Sequence, residues 1–257
     1  WRYNMIRIKN EKQIDGIRAS CKALARLYRA LVPLVREGVS TADLDDFCVD
    51  FIRKAGGKPA WYAEHFPGAA CISINEEVIH GIPSKNRIIH NGDLVSLDIG
   101  IDLDGYISDS AITVPVGTVE NKLLRLLDTT RECLDAGIGA CRAGNRIGDI
   151  SRAVYDTATK AGYGVVYEYC GHGVGLGVHE DPQIPNVPER GPNPRIVPGM
   201  VLAIEPMINL GTGDVDVLSD GWTVVTSDKK PSCHMEHTVA VFADHTEVLT
   251  MLNPGEE

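Results

Sequence analysis

A chain that repeats part of itself must bury equivalent faces in both copies, and here the copies carry carboxylates at matched places. The stretches "GVSTADLDDFCVDFIRKAGG" from Gly38 and "GNRIGDISRAVYDTATKAGY" from Gly144 align without a gap. They share six of twenty positions: the first Gly, two Asp, and a terminal Lys-Ala-Gly. Both read as an amphipathic helix, capped at its start and ended by glycine. Helix punctuation alone can converge on such a match. At nearly the same offset, however, "NGDLVSLD" ending at Asp98 matches "PGMVLAIE" ending at Glu205. Gly92 answers to Gly199, Leu97 to Ile204, and Asp98 to Glu205. Two repeats at one spacing predict a single domain over residues 5–252 made of related halves, about 5–120 and 121–252. Trp1 to Asn4 precede a plausible initiator, Met5, and read as extra residues.

The first half contains "SLDIGIDLDGYISDS". Val95, Leu97, Ile99 and Ile101 alternate with Ser96, Asp98 and Gly100, which predicts a strand with one apolar face and Asp98 on the other. Asp102-Leu103-Asp104-Gly105 supplies turn chemistry for a hairpin. A four-residue loop sets Asp98 directly opposite Asp109, whereas a two-residue Asp-Gly loop sets them diagonally on one face. In either register two carboxylates crowd each other and one pKa must rise. In the second half, Glu236 precedes Thr238-Val239-Ala240-Val241 much as Asp109 precedes Ala111-Ile112-Thr113-Val114. The duplication therefore predicts that Asp98, Asp109, Glu205 and Glu236 meet at the centre. Four carboxylates in an apolar interior cannot all stay ionised without cations, and shared carboxylates call for two divalent ions about 3.5–4 Å apart.

Composition narrows the remaining classes. With 257 residues, 44% of them hydrophobic, the chain can bury a sizeable core. A net charge of −10 argues against nucleic acid as the main ligand, since phosphate neutralisation needs a basic face. Seven cysteines without a Cys-x-x-Cys pair argue against a disulfide framework and for a reducing compartment. There is no signal-peptide stretch and no run near the roughly 18 apolar residues of a membrane span, so the expectation is a cytoplasmic protein without membrane partners.

A nitrogen ligand is offered by "YCGHGVGLGVHEDP", which carries His172 and His179. Its alternate glycines exclude a helix and imply close backbone approach. Neither phosphate-loop pattern fits them. His65, His90, His237 and His245 read as packed or surface residues. One imidazole among four carboxylates suits Mn(II), Fe(II) or Co(II) at least as well as Ni or Zn. No zincin His-Glu-x-x-His motif and no G-x-S-x-G elbow is present.

"CISINEEVIHGIP", the Asp98/Asp109 hairpin, "YCGHGVGLGVHEDPQIPN", "PGMVLAIEPM", "DGWTV" and "MEHTV" together resemble the successive motifs of type I methionine aminopeptidases, across essentially the whole chain. The resemblance implies the pita-bread α/β fold, in which two pseudo-twofold-related halves form a curved, mainly antiparallel sheet covered by helices. It also implies removal of the initiator methionine from nascent polypeptide N-termini by a monomer, compatible with transient ribosome association. Carried over, Asp98 would chelate one metal, His172 and Glu205 the other, and Asp109 and Glu236 would bridge both. His179 resembles the histidine that hydrogen-bonds the scissile peptide, and His80 the one that holds substrate near the metals. Glu205 would shuttle a proton from the activated water to the leaving amine. Phe66, Cys71 and Trp222 match methionine-pocket positions.

Two departures from the family pattern stand out. Val178 occupies a place where phenylalanine is frequent, which predicts a roomier pocket, and His234 one where glutamine is common. Prolidase and aminopeptidase P resemble a longer chain with an added N-terminal domain, for which the 97 residues before Asp98 leave little room. The interval from Glu205 to Glu236 is too short for the helical insertion of a type II enzyme. Non-catalytic pita-bread binding modules typically lose ligands, whereas all five ligand types stand here.

Overall fold

The computed structural model describes residues 5–188 and 190–252, so Trp1 to Asn4 lie outside the described residues. Four α-helices arise from capped amphipathic segments: α1 (Glu11–Leu31), α2 (Thr41–Lys54), α3 (Asn121–Ala140) and α4 (Ile147–Lys160). In α1, Asn10 Oδ1 accepts the Gln13 N–H while Gln13 Oε1 accepts the Asn10 N–H, both at 3.0 Å. This reciprocal pair satisfies two amides that the first helical turn leaves without partners. The duplicated sequence is α2 and α4, each of 14 residues. Its matched aspartates do the same work: Asp43 accepts the Ser40 N–H at 3.1 Å and Asp149 the Arg146 N–H at 2.8 Å.

Among the described residues, nine strands form the main sheet: β1 (Lys58–Pro59), β2 (Ala70–Ile74), β3 (Leu94–Leu103), β4 (Tyr106–Pro115), β5 (Cys170–Gly173), β6 (Glu180–Pro185), β7 (Val201–Ile204), β8 (Glu236–Val241) and β9 (Thr246–Val248). Their order is β1-β3-β4-β8-β7-β5-β6, with β2 also on β3 and β9 also on β8. Every one of these pairings is antiparallel, and the sheet curls. Strand β8 is the seam, because it joins the first-half hairpin through β4 and the second-half strands through β7.

Each half of the sheet has its own helical cover. Leu24, Leu27 and Leu31 of α1 and Leu44, Cys48 and Ile52 of α2 pack on Val95, Leu97, Ile99 and Ile101 of β3. Leu126 and Leu134 of α3 and Ile150 and Val154 of α4 pack on Leu202, Ile204, Val239 and Val241. Because strand side chains alternate, these residues commit Asp98, Ala203 and Glu236 to the other, concave face. Burial of such Leu and Ile side chains stabilises by about 1.5–3 kcal/mol each, so the face assignment is energetically enforced.

The β3–β4 register turns on its loop. Leu103 pairs with Tyr106 across a two-residue turn, with Asp104 at φ +54° and Gly105 at φ +82°. Both central residues are left-handed, the type I′ geometry that matches strand twist, and Asp-Gly is the sequence that tolerates it. The two-residue alternative therefore wins: Asp98 pairs with Ala111 and Gly100 with Asp109. A Cβ on Gly105 would meet no atom within 4 Å, so Gly105→Ala tests backbone strain alone. Urea unfolding should show a loss of about 1 kcal/mol, and an unchanged unfolding free energy contradicts the turn assignment.

Candidate metal centre

Register carries the carboxylates together. Asp98 pairs with Ala111, and Ala111 pairs with Glu236, so the three lie in one row across β3, β4 and β8. Asp109 is two residues from Ala111 and shares its face. On the far side of β8, His237 pairs with Ile204, and Glu205 follows one step beyond β7. His172 pairs with Ala203, two residues before Glu205, and so joins the same face. The five predicted ligands thus converge from β3, β4, β5, β8 and the end of β7.

Their backbones are pinned from behind. Thr238 Oγ1 donates to the Asp109 carbonyl at 2.7 Å, Ser110 Oγ to that of Glu236 at 2.8 Å, and Asn186 Nδ2 to that of Glu205 at 3.0 Å. The buried Tyr28 hydroxyl bonds the carbonyls of Leu97 and Ser110, tying α1 to the hairpin beside Asp98 and Asp109. Close packing also explains Gly171 and Gly173 of the alternate glycines. A Cβ on Gly171 would lie 2.4 Å from the Ala203 carbonyl oxygen, and one on Gly173 the same distance from that of Asp181. The close approach anticipated there is to neighbouring strands of the protein itself.

His172 Nδ1 lies 2.9 Å from the Gly173 carbonyl oxygen, which can only accept, so Nδ1 carries the proton and Nε2 is a bare lone pair. That lone pair faces Glu205 Oε1 at 3.4 Å and Asp109 Oδ2 at 3.5 Å. Donor atoms of Asp109, His172 and Glu236 all lie within 4.8 Å of one another. Asp98 Oδ1, Asp109 Oδ1 and Glu236 Oε1 are buried and accept no hydrogen bond from the described residues. Lone pairs that face each other in a dry interior without donors are what a cation satisfies and what protein groups alone do not.

The electrostatics carry the same signature. Burial pushes the Asp98 carboxyl up to about 7, with His234 opposing and Glu205 adding to the shift. Burial holds Glu205 at about 8. Asp109 and Glu236 are raised well above the carboxylate range, first by burial and then by the neighbouring carboxylates. Burial, helped by His179, lowers His172 to about 3, so its imidazole is neutral and able to ligate.

A cavity of about 120 Å³ opens beside the cluster, lined by Phe66, Cys71, His80, His179 and Trp222 together with the five predicted ligand residues. The Phe66 and Trp222 rings meet edge to face at 5.3 Å. The His179 ring lies 4.5 Å from that of His172, and the His80 ring 6.3 Å from that of Trp222. His80 sits at φ +57°, a left-handed conformation that non-glycine residues adopt at a cost and that collects at functional sites. Val178 belongs to the apolar cluster that contains Phe66 and Cys71. Three further residues touch the site: Trp61 and Glu64, not singled out from the sequence, and His234, noted there only as a departure from the family pattern. Trp61 lines the cavity and donates from Nε1 to the Asp98 carbonyl at 3.2 Å, Glu64 comes within 3.8 Å of His179, and His234 abuts Glu205. For His234 a signal existed: it stands two residues before Glu236, the spacing that shares a strand face.

Comparison with known proteins agrees with this geometry. The family model of metallopeptidase family M24 matches residues 15–243. A methionine aminopeptidase of Treponema pallidum is 68% identical over 247 residues, covering 96% of each chain. The crystal structure of a methionine aminopeptidase from Thermotoga maritima superposes with a TM-score of 0.94 at 37% identity, covering 96% of this chain and all of that one. A prolidase from Pyrococcus furiosus shares the fold at a TM-score of 0.79 and 24% identity, but this chain spans only 66% of it. A curled antiparallel sheet, two pairs of helices and a buried acidic cluster with one bare imidazole thus find their match: the chain belongs to metallopeptidase family M24, among its methionine aminopeptidases.

Proposed function

We propose that this chain hydrolyses the first peptide bond of polypeptides that begin with methionine, using two divalent cations held by Asp98, Asp109, His172, Glu205 and Glu236. The observation that carries the reading is the set of buried, unpartnered carboxylate oxygens facing the bare His172 Nε2 at the floor of an apolar cavity. When bound, the cations supply Lewis acidity, which makes a water nucleophilic at neutral pH and polarises the scissile carbonyl. The donor set fits them, since acidic oxygens with one imidazole suit Mn(II), Fe(II) or Co(II) as well as zinc.

The chain's own residues divide the work. Asp98 would hold one cation, His172 and Glu205 the other, and Asp109 and Glu236 would serve both. Glu205, whose carboxylate stands beside His172 just beyond β7, takes the proton of the attacking water and passes it to the leaving amine. His179 donates to the scissile peptide. His80, kept neutral by burial at about 4, orients the substrate beside the cations. Phe66, Cys71 and Trp222 receive the methionine side chain. The pseudo-symmetric halves, 5–120 and 121–252, act as one catalytic domain over 5–252, because the donor set draws on both. We place the enzyme in the cytoplasm as a monomer acting on nascent chains. Among the described residues no helix is long and apolar enough to cross a membrane, and none of the seven cysteines forms a disulfide.

Release of methionine from Met-Ala-Ser should stop on chelation and return with Mn(II) or Co(II), while Xaa-Pro peptides stay uncut. Asp98→Asn should lose at least about 10²-fold in kcat with an unchanged circular dichroism spectrum, and wild-type turnover in a metal-loaded, folded variant would refute the assignment. The raised carboxyl pKa values mean that cation-free protein holds protons near pH 7 that a bound cation expels. Calorimetric titration with Mn(II) at that pH should therefore give heats that depend on the buffer's ionisation enthalpy. Buffer-independent heats contradict the proposed proton exchange.

A further inference from the structure

His234 is buried to 1% exposure, yet neither ring nitrogen has a hydrogen-bond partner among the described residues. Its Nε2 stands 3.5 Å from Glu205 Oε2. On the opposite oxygen of the same carboxylate, Oε1, His172 Nε2 stands 3.4 Å away. Glu205 is therefore flanked by two imidazoles, one beside each oxygen. The backbone of His234 is anchored by one residue, Thr113. Its N–H donates to Thr113 Oγ1 at 3.1 Å, and Thr113 Oγ1 donates to its carbonyl at 2.8 Å. Thr113 is itself bonded to Ser96 at 2.8 Å, so β3 and β4 of the first half fix a side chain aimed at a carboxylate of the second. A leucine would fill such a dry niche without two unpartnered nitrogens, so packing alone does not account for an imidazole there.

We propose that His234 is a positioning residue for Glu205: its Nε2–H is directed at Oε2 and fixes the carboxylate so that Oε1 is presented beside His172. The inference rests on the cation-binding reading given above. Groups that hold a metal-binding side chain from behind in this way commonly change metal affinity by roughly 10–100-fold when removed.

The test uses the full chain, chelated and then titrated with Mn(II), alongside the visible absorption spectrum of the Co(II)-loaded protein. His234→Leu keeps the volume and removes the donor. It should weaken Mn(II) binding by roughly 10-fold or more and alter the Co(II) spectrum. His234→Gln restores an N–H and should return both toward wild type. Wild-type affinity and spectrum in His234→Leu overturn the proposal, as does a His234→Gln protein as weak as His234→Leu. Should His234→Leu fail to fold, nitrogen NMR of the histidine rings in Zn(II)-loaded wild type decides: a proton on Nε2 supports the assignment, and a bare Nε2 overturns it. Wild type that binds no divalent cation at all removes the metal reading itself, and this inference with it.

Discussion

Four carboxylates brought within one buried face repel one another, and everything else in this fold is arranged to tolerate that repulsion. Asp109 and Glu236 are nearly inaccessible to solvent, and several oxygens of the cluster have no donor among the described residues. An interior of this kind destabilises a chain unless charge is compensated, because desolvation of each anion is unfavourable and mutual repulsion adds to it. Two forms of compensation exist: protons, which the raised pKa values of the empty cluster indicate, and cations, which the bare His172 nitrogen is suited to share.

Holding such a cluster requires rigid elements, and the duplicated architecture supplies them. Each half brings a helix pair and a strand pair, and the outward alternation of Leu97, Ile99, Leu202 and Val239 into the helical cores forces the acidic residues inward. Strand β8 closes the arrangement by pairing with both halves, which places Glu236 in the same row as Asp98. Side-chain hydrogen bonds from Thr238, Ser110 and Asn186 to backbone carbonyls then fix the strands that carry the acidic residues. The cavity beside the cluster is a consequence of the same curvature, since Phe66 and Trp222 reach over the concave face from segments far apart in sequence.

Much of this was legible in the chain because its physics is local or periodic. The matched Asp43 and Asp149 are helix punctuation, and period-two alternation around Asp98 announces which face it takes. Duplication then supplied the long-range step, pairing Asp98 with Glu205 before any contact was known. Other features depend on geometry that composition does not encode. The hairpin register stayed open between two loops until Asp104 and Gly105 adopted left-handed angles. The glycines of 171–177 announced close approach but not its object, which is the backbone of adjacent strands for Gly171 and Gly173 and the Ile17 side chain for Gly175. Trp61 and Glu64 enter the site through a short helical turn whose placement only tertiary packing determines.

The central claim is that the acidic cluster is a site for two cations and not a set of protonated carboxyls. Anomalous diffraction from crystals grown with Mn(II), measured at the manganese edge, tests it most directly. The account predicts two strong peaks enclosed by Asp98, Asp109, His172, Glu205 and Glu236. An anomalous map empty at that place, with the carboxyl groups bonded to one another or to water, would contradict it.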